Sequence, residues 1–408
     1  MLISAGHHES TLQPLNVWSY NMTKLETGNR VIIQAGDLGR LLKELKRKSY
    51  TTIGPTLQEK AIVYDEINNL DDLPVGWTEE QEKGHYRLRK RKDGALFGFN
   101  VGPHSWKKFL SPPEVRLWSA TRSKNGFDIS DEDREIPKYA FIGVRSCDLS
   151  AIHILDKVFL ESGYQDKIYG ERRRDNFIIA VNCTEAGGTC FCASMGTGPK
   201  SQQGFDLSLT EVITDDDHYF VTEIGSEEGS ELMKAVHWEI AGPDTVHIAD
   251  ELVEKAALSM GRKLDTDRLR DLLFSNYKHR EWEEVADRCL SCANCTMVCP
   301  TCFCHTVEET TDLDGDHAER WRIWDSCFTL GFSYIHGGSV RKTTLSRYRQ
   351  WATHKLASWQ DQFGTFGCVG CGRCITWCPV GIDITEIAEA IRSDSELPEN
   401  KVPMPRDH

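Results

Sequence analysis

Two cysteine runs of identical spacing in the C-terminal third constrain the fold of this chain more than any other feature. The first run consists of Cys289, Cys292, Cys295 and Cys299, with Pro300 after it. The second consists of Cys368, Cys371, Cys374 and Cys378, with Pro379 after it. Both have the spacing of bacterial two-cluster ferredoxins. Four-cysteine zinc sites are the alternative, but they usually present their ligands as two separated pairs.

Ferredoxin runs of this kind predict a crossed set of ligands. Three thiolates on a tight loop bind one 4Fe–4S cluster, and the fourth cysteine binds the other cluster. The expected ligands of the first cluster are Cys289, Cys292, Cys295 and Cys378. Those of the second cluster are Cys299, Cys368, Cys371 and Cys374. We expect each fourth cysteine to begin the following helix, where proline needs no amide partner.

An insert, residues 300–367, separates the two runs and is much longer than the linker of a small ferredoxin. It contains many large aromatic residues, which we expect to shield the clusters from water: Trp321, Trp324, Phe328, Phe332, Tyr334, Tyr348 and Trp351. After the second run, Asp383 and Glu386 predict a capping box. The apolar spacing of Ile384, Ile387, Ala388 and Ile391 predicts the helix that it begins.

The N-terminal two-thirds of the chain has the pattern of an α/β domain, in which short β-branched runs alternate with helical periodicity. Tyr139–Val144 and Phe177–Val181 are predicted as buried strands, and the helix after the first carries Ala151, Ile154, Leu155, Val158 and Phe159 on one face. We therefore predict an α/β domain over 1–262, a mainly α-helical, ferredoxin-like domain with two 4Fe–4S clusters over 263–395, and a flexible tail over 396–408.

Four further cysteines are predicted to converge at one edge of the N-terminal sheet. Cys147 and Cys183 follow the two predicted strands, at the edge where open α/β sheets place ligands. Cys190 and Cys192 lie on the next loop, whose glycines permit close approach of the backbone. This set predicts a third 4Fe–4S cluster. A zinc site and buried cysteines without metal remain alternatives, since irregular spacing does not distinguish them.

The tetrapeptide Thr-Cys-Phe-Cys occurs twice, at 189–192 and again at 301–304. In the second copy, Cys302 and Cys304 follow directly on Cys299. Together with Cys327 they supply only three thiols. They are predicted either to pack against the ferredoxin clusters or to bind a further cluster with a non-cysteine ligand such as His305.

Composition excludes several classes of function. A formal net charge of −14 over 408 residues argues against nucleic-acid binding. The sequence shows neither an apolar stretch long enough to span a membrane nor a signal peptide, so we expect a cytoplasmic protein. Fifteen cysteines in a reducing compartment indicate metal binding or redox chemistry, not disulfides. No dinucleotide-binding glycine motif follows a strand, and the acidic runs 215–217 and 312–316 are predicted to be solvated loops.

Several sequence blocks, taken in order, resemble the β subunit of soluble NAD(P)-linked nickel–iron sulfhydrogenases. The blocks are GVRSCDLSAI, VNCTEAGGTCFCASMGTGP, CPTCFCHTVEE, RIWDSC, RYRQWATHKL and GCVGCGRCITWCPVGIDI. The A subunit of anaerobic sulfite reductase is similar. The resemblance covers roughly 139–205 and 285–392. It departs from the family pattern at Ser146, where the family has proline.

The resemblance implies an iron–sulfur electron-transfer subunit with no catalytic site of its own. Its implied partners are a flavin/NAD(P)-binding reductase subunit and the small and large nickel–iron hydrogenase subunits. An electron-transfer role in an anaerobic sulfite reductase is the nearest alternative. An iron–sulfur redox-sensing module and a free-standing reductase that binds substrate at its N-terminal cysteines are further alternatives. Neighbouring genes would distinguish the hydrogenase role from the sulfite-reductase role. The acidic charge disfavours a DNA-binding sensor.

Overall fold

The computed structural model of the protein describes residues 25–131 and 136–395. The predicted tail, 396–408, lies outside the described residues, as do 1–24 and 132–135. Within the part of the chain that the structure describes, no helix is long and apolar enough to cross a bilayer.

The described part of the N-terminal region contains twelve strands and six helices. The strands are β1 Arg30–Gln34, β2 Thr51–Gln58, β3 Ala61–Glu66, β4 Trp77–Glu82, β5 His85–Lys90, β6 Glu114–Ser123, β7 Gly126–Asp131, β8 Tyr139–Val144, β9 Phe177–Val181, β10 Leu207–Ile213, β11 His218–Ile224 and β12 Glu239–Ile240. The helices are α1 Leu38–Arg47, α2 Lys107–Leu110, α3 Ser146–Phe159, α4 Lys167–Arg173, α5 Glu227–Leu232 and α6 Pro243–Leu258.

Eight of these strands form one mixed sheet in the order β12-β1-β11-β10-β9-β8-β2-β3. The four central strands β10, β9, β8 and β2 run parallel, and the flanking pairs are antiparallel. The predicted strands β8 and β9 and the helix α3 are confirmed at their expected positions. Because β8 and β9 are parallel neighbours, the chain leaves both of them at the same edge of the sheet.

Both faces of the sheet are buried, which explains why β8 and β9 are apolar along their whole length. Ala140 and Ile142 of β8 lie in the core on the face that α1 covers, together with Leu41. Phe141 lies on the other face, in the core that Leu149 of α3 joins. The α/β prediction for the N-terminal region is therefore confirmed as a sheet between two helical layers.

The C-terminal region, as far as residue 395, contains seven helices and four strands. The helices are α7 Leu269–Ser275, α8 Glu281–Arg288, α9 Asn294–Met297, α10 Thr344–Thr353, α11 Trp359–Phe363, α12 Arg373–Thr376 and α13 Ile384–Ser393, with a π-helical turn, His354–Ser358, between α10 and α11. The strands are β13 His305–Thr311, β14 His317–Trp324, β15 Tyr334–Ile335 and β16 Gly338–Ser339. The prediction of a mainly helical domain therefore holds only in part, because the insert contributes strands.

The insert also joins the two regions. Its strands β13 and β14 pair with β6 and β7 in a four-stranded antiparallel sheet of order β13-β14-β6-β7. His317 of β14, for example, lies opposite Thr121 of β6. The β4–β5 hairpin reaches the second cysteine run, where the Gly84 amide donates to the Ile375 carbonyl at 3.1 Å. The division at 262/263 stays a prediction, and extensive contacts cross it.

The last helix, α13, begins as predicted but is capped differently. The Asp383 carboxylate accepts from the Thr385 amide and hydroxyl at 3.0 and 2.7 Å. Glu386, the predicted capping partner, instead pairs with Lys83 at 2.6 Å. Asp383 therefore caps the helix without a capping box, since the position of Glu386 is set by the β4–β5 hairpin.

Candidate iron–sulfur centres

The two cysteine runs have the same backbone conformation at equivalent positions. Ser291 and Gly370 both have a left-handed backbone, with φ of 50° and 64°. Two residues later Ala293 and Gly372 do the same, with φ of 65° and 74°. Glycine adopts this conformation readily and other residues adopt it at a cost. The first run therefore keeps the local shape of the second although it lacks both glycines.

Backbone amides donate to three of the cysteine sulfurs. The Ser291 amide donates to Cys289 Sγ at 3.4 Å, and the Gly370 amide donates to Cys368 Sγ at 3.5 Å. The Ile382 amide donates to Cys378 Sγ at 3.3 Å. Hydrogen bonds of this kind favour the thiolate form and tune a bound cluster.

The fourth cysteine of each run follows a helix and does not begin one. Cys299 comes just after α9, and Cys378 comes just after α12. The expectation that each begins the next helix was therefore wrong. In both runs the third cysteine lies within the one-turn helix, so this turn sets the distance between the third and fourth sulfurs.

The first cavity between the runs is lined by the four expected ligands of the first cluster, Cys289, Cys292, Cys295 and Cys378. It spans about 410 Å³, part of which is open to solvent, and Cys374 also borders it. Phe328, Tyr348 and Trp351 form its aromatic wall, as predicted for the insert. Tyr334, by contrast, is 67% exposed and shields nothing.

The second cavity is lined by the four expected ligands of the second cluster, Cys299, Cys368, Cys371 and Cys374. It spans about 340 Å³, part of which is open to solvent. Among the residues that the structure describes, no three His, Cys, Asp or Glu side chains converge tightly enough to hold a single metal ion. The thiols surround a space instead, as they must if each binds a different iron of one cluster. The residues present therefore fit two 4Fe–4S clusters, and the ligation itself stays a prediction.

A lysine that the sequence reasoning did not single out lies at the second cavity. Lys355 is 4% exposed, and its ammonium donates to Thr301 Oγ1 at 2.9 Å and to the Gly367 carbonyl at 3.2 Å. Burial alone would lower the pKa of Lys355, but the nearby sulfurs of Cys299 and Cys302 raise it well above its ordinary value. The lysine is therefore charged and offsets negative charge at this site. The only sequence feature that could have pointed to Lys355 is the RYRQWATHKL block, which contains it.

The four N-terminal cysteines lie in one neighbourhood beside the second cavity. Burial raises the pKa of Cys190 to about 12, with the nearby Cys183 adding to the effect. Burial also raises the pKa of Cys192, next to Cys190 and Cys183. Cys147 and Cys192 share a small buried cluster with Cys371 of the second run. The structure thus brings the predicted set together, and whether it binds a cluster stays a prediction.

The loop with the first Thr-Cys-Phe-Cys copy packs directly on the second run. The Phe191 amide donates to the Gly370 carbonyl at 2.8 Å, and Phe191 lines the second cavity. The Thr189 hydroxyl contacts that of Thr376 at 2.7 Å. Arg262 links the loop to the start of α13, since its guanidinium donates to the Gly188 carbonyl at 2.8 Å and to Asp383 at 2.7 Å. The N-terminal cysteines are therefore held against the ferredoxin site by the loop that carries them.

The second copy lies at a third cavity. Cys302, Cys304 and Cys327 line this cavity together with Lys355 and His354. His305, suggested as a fourth ligand, instead begins β13, and its Nε2 lies 3.2 Å from Ser111 Oγ. His305 therefore does not line this cavity, and the suggestion that it supplies the fourth ligand was wrong. The β13–β14 hairpin places its side chain next to Ser111 instead.

Comparison with known proteins supports the presence of 4Fe–4S clusters in this chain. A family model described as a 4Fe-4S dicluster domain matches residues 288–382. The chain is 30% identical to sulfhydrogenase 2 subunit beta of Pyrococcus furiosus over 355 residues, which cover 86% of this chain and 94% of that protein. It is 29% identical to one subunit of the dihydromethanophenazine:CoB–CoM heterodisulfide reductase of Methanosarcina barkeri over 108 residues, 26% of this chain and 23% of that protein. No solved structure shows significant similarity.

Proposed function

Because the chain belongs to the family of sulfhydrogenase β subunits, we propose that it is the iron–sulfur electron-transfer subunit of a nickel–iron hydrogenase complex. In this role it relays single electrons between the small and large hydrogenase subunits and a flavin/NAD(P)-binding subunit. The flavin subunit gathers two electrons for hydride transfer. We place the complex in the cytoplasm.

The observation that carries this proposal is the pair of adjacent thiol-lined cavities. Cys374 borders both of them, so the two cavities share a wall. Bound 4Fe–4S clusters would supply one-electron storage at low potential. The chain itself contributes the thiolates, the amides that donate to Cys289, Cys368 and Cys378, and the buried ammonium of Lys355.

The first cavity is the one we assign to contact with a partner subunit. Cys292 is exposed, and its neighbour Leu290 is 63% exposed. In the second set Cys299 and Cys371 are buried. An electron leaving the chain from the first cavity therefore passes through less protein than one leaving from the second.

We further propose that Cys147, Cys183, Cys190 and Cys192 bind a third 4Fe–4S cluster. This proposal is supported by the contact between the loop that carries Cys190 and Cys192 and the second cysteine run. A third cluster bound there would lie beside the second. Arg145 supports this edge of the sheet, since its buried guanidinium donates to the Phe97 and Phe99 carbonyls at 2.7 and 2.5 Å. A chain of three clusters would lead from the exposed Cys292 into the N-terminal region.

The test compares two activities of the complete complex in wild type and in Cys371→Ser. We expect the variant to lose H₂-dependent reduction of NAD(P)⁺ and to keep H₂-dependent reduction of methyl viologen, which takes electrons from the hydrogenase subunits directly. Wild-type NAD(P)⁺ reduction in this variant would contradict the relay. Sulfite-dependent oxidation of NAD(P)H by an assembly that contains this chain would favour the sulfite-reductase alternative.

A further inference from the structure

The third cavity is built by the base of the β13–β14 hairpin. Cys302 and Cys304 precede β13, and Cys327 follows β14. The paired ends of the two strands, His305 opposite Trp324, hold these segments together. The Asp325 amide donates to the Cys304 carbonyl at 2.9 Å and extends the pairing toward Cys327.

The cavity resembles the two ferredoxin cavities in the chemistry of its lining and is the roomiest of the three. It spans about 540 Å³, part of which is open to solvent, and three thiols line it. Four aromatic residues line it together with His354: Phe303, Phe332, Trp351 and Trp359. Soft thiolate donors around a concave space are suited to an iron–sulfur cluster.

The third cavity also adjoins both ferredoxin cavities. Trp351 lines the third cavity and the first one. Lys355 lines the third cavity and the second one. A redox centre in the third cavity would therefore have a cluster on each side.

His354 supplies a fourth donor in the wall of the cavity. It begins the π-helical turn between α10 and α11, a feature that often occurs at functional sites. Its Nε2 lies 3.2 Å from Gln362 Oε1. Histidine ligands of metals usually donate their second N–H to such an acceptor, so this contact leaves Nδ1 for a metal.

We propose that the third cavity holds a further iron–sulfur cluster, bound by the thiolates of Cys302, Cys304 and Cys327 and by the imidazole of His354. This inference concerns the isolated chain and does not depend on the partner subunits proposed above. The second Thr-Cys-Phe-Cys copy is then a ligand segment like the first, with histidine in place of the fourth cysteine.

The first experiment counts iron and acid-labile sulfide per chain in anaerobically purified full-length protein. Cys304→Ser is expected to contain about four fewer irons and sulfides than wild type, one cluster's content. Phe332→Leu is the matched control, since it changes the same wall without removing a donor, and it should retain the wild-type content. Equal iron in Cys304→Ser and wild type would overturn the proposal.

The second experiment does not depend on how well Cys304→Ser folds. Pulsed EPR of the dithionite-reduced wild-type chain is expected to show a strong nitrogen hyperfine coupling from the His354 imidazole. His354→Cys should keep the iron content and lose this coupling, while His305→Gln should keep both. A wild-type spectrum without the coupling, or one that persists in His354→Cys, would overturn the assignment of His354.

Discussion

Arg373 of the second cysteine run makes a bidentate ion pair with Asp148, the residue after Cys147. The two guanidinium nitrogens donate to the two carboxylate oxygens at 2.8 and 2.9 Å, and both side chains are almost completely buried. The guanidinium also donates to the Gly102 carbonyl at 3.1 Å, and the Tyr64 hydroxyl donates to Asp148 at 3.2 Å. This network fixes the N-terminal cysteine edge against the ferredoxin run.

Removing one partner of this pair should be strongly destabilising. Asp148→Asn leaves the guanidinium of Arg373 buried without a counter-charge, which typically costs about 3–5 kcal/mol. We expect a corresponding fall in the urea midpoint of the anaerobic holoprotein. The control is Asp316→Asn, which breaks an ion pair with Arg122 whose side chains are each 59% exposed. Exposed pairs contribute roughly 1 kcal/mol or less, so equal losses in the two variants would contradict this prediction.

The crossed ligand sets can be tested by pairing variants from opposite runs. Cys378→Ser should abolish the same EPR signal as Cys289→Ser, because both cysteines line the first cavity. Cys299→Ser should abolish the same signal as Cys368→Ser, because both line the second. If Cys378→Ser instead matched Cys368→Ser, each run would bind its own cluster and the crossed assignment would be wrong.

Features set by residues close together in the sequence could be predicted from it, whereas contacts between residues far apart in the sequence could not. The cysteine spacings predicted which thiols share a cavity because a few residues of chain limit where each sulfur lies. The strand β9, Phe177–Val181, was predictable because it is apolar along its whole length. The pairing of β14 with β6 was not, since it joins segments about two hundred residues apart and both carry polar and half-buried side chains. The ion pair between Arg373 and Asp148 was missed for the same reason.

The first cluster should be lost before the second under oxidative or chelating conditions. Cys292 of the first set is exposed, whereas Cys371 of the second is 8% exposed. Solvent access makes iron–sulfur ligands vulnerable. We expect ferricyanide with a chelator to remove the signal that Cys289→Ser abolishes first. Loss of the Cys368-dependent signal first would contradict this order.

A half-buried carboxyl in β4 should make stability depend on pH. Glu79 accepts from the Asn100 amide at 3.0 and 3.1 Å, and burial raises its pKa to about 7. Between the ordinary glutamate pKa and 7 the folded protein therefore binds more protons than the unfolded chain, and stability falls as pH rises through this window. Glu79→Gln should remove on the order of 2–3 kcal/mol of the stability change between pH 5 and 8. Urea midpoints measured from pH 5 to 8 give the comparison.

The neighbouring Glu80 provides the control for this pH effect. It is exposed and pairs with Arg89 at 2.7 Å, and the hydrogen bond from Arg89 lowers its pKa. Glu80→Gln should therefore leave the slope between pH 5 and 7 unchanged. A slope that survives in Glu79→Gln would show that another group is responsible.

The contact between the first Thr-Cys-Phe-Cys loop and the second run should be sensitive to one methyl group. Gly370 has a left-handed backbone, and a Cβ on it would lie 2.6 Å from the carbonyl carbon of Phe191 and 2.7 Å from Cys192 Cα. Gly370→Ala must therefore push the loop away from the second cavity. We expect lower iron content and a perturbed signal for the cluster that depends on Cys368, since the amide of residue 370 donates to that sulfur.

A control variant, Gly364→Ala, distinguishes the steric clash at Gly370 from the backbone strain of alanine in a left-handed conformation. Gly364 has nearly the same backbone, with φ of 68° against 64° for Gly370, but a Cβ there meets nothing within 4 Å. Gly364→Ala thus carries the strain of a left-handed alanine, about 1 kcal/mol, without the clash. It should lower the urea midpoint slightly and keep wild-type iron and EPR signals. If both variants lost iron to the same extent, strain alone would account for the effect and the loop contact would have no part in holding the cluster.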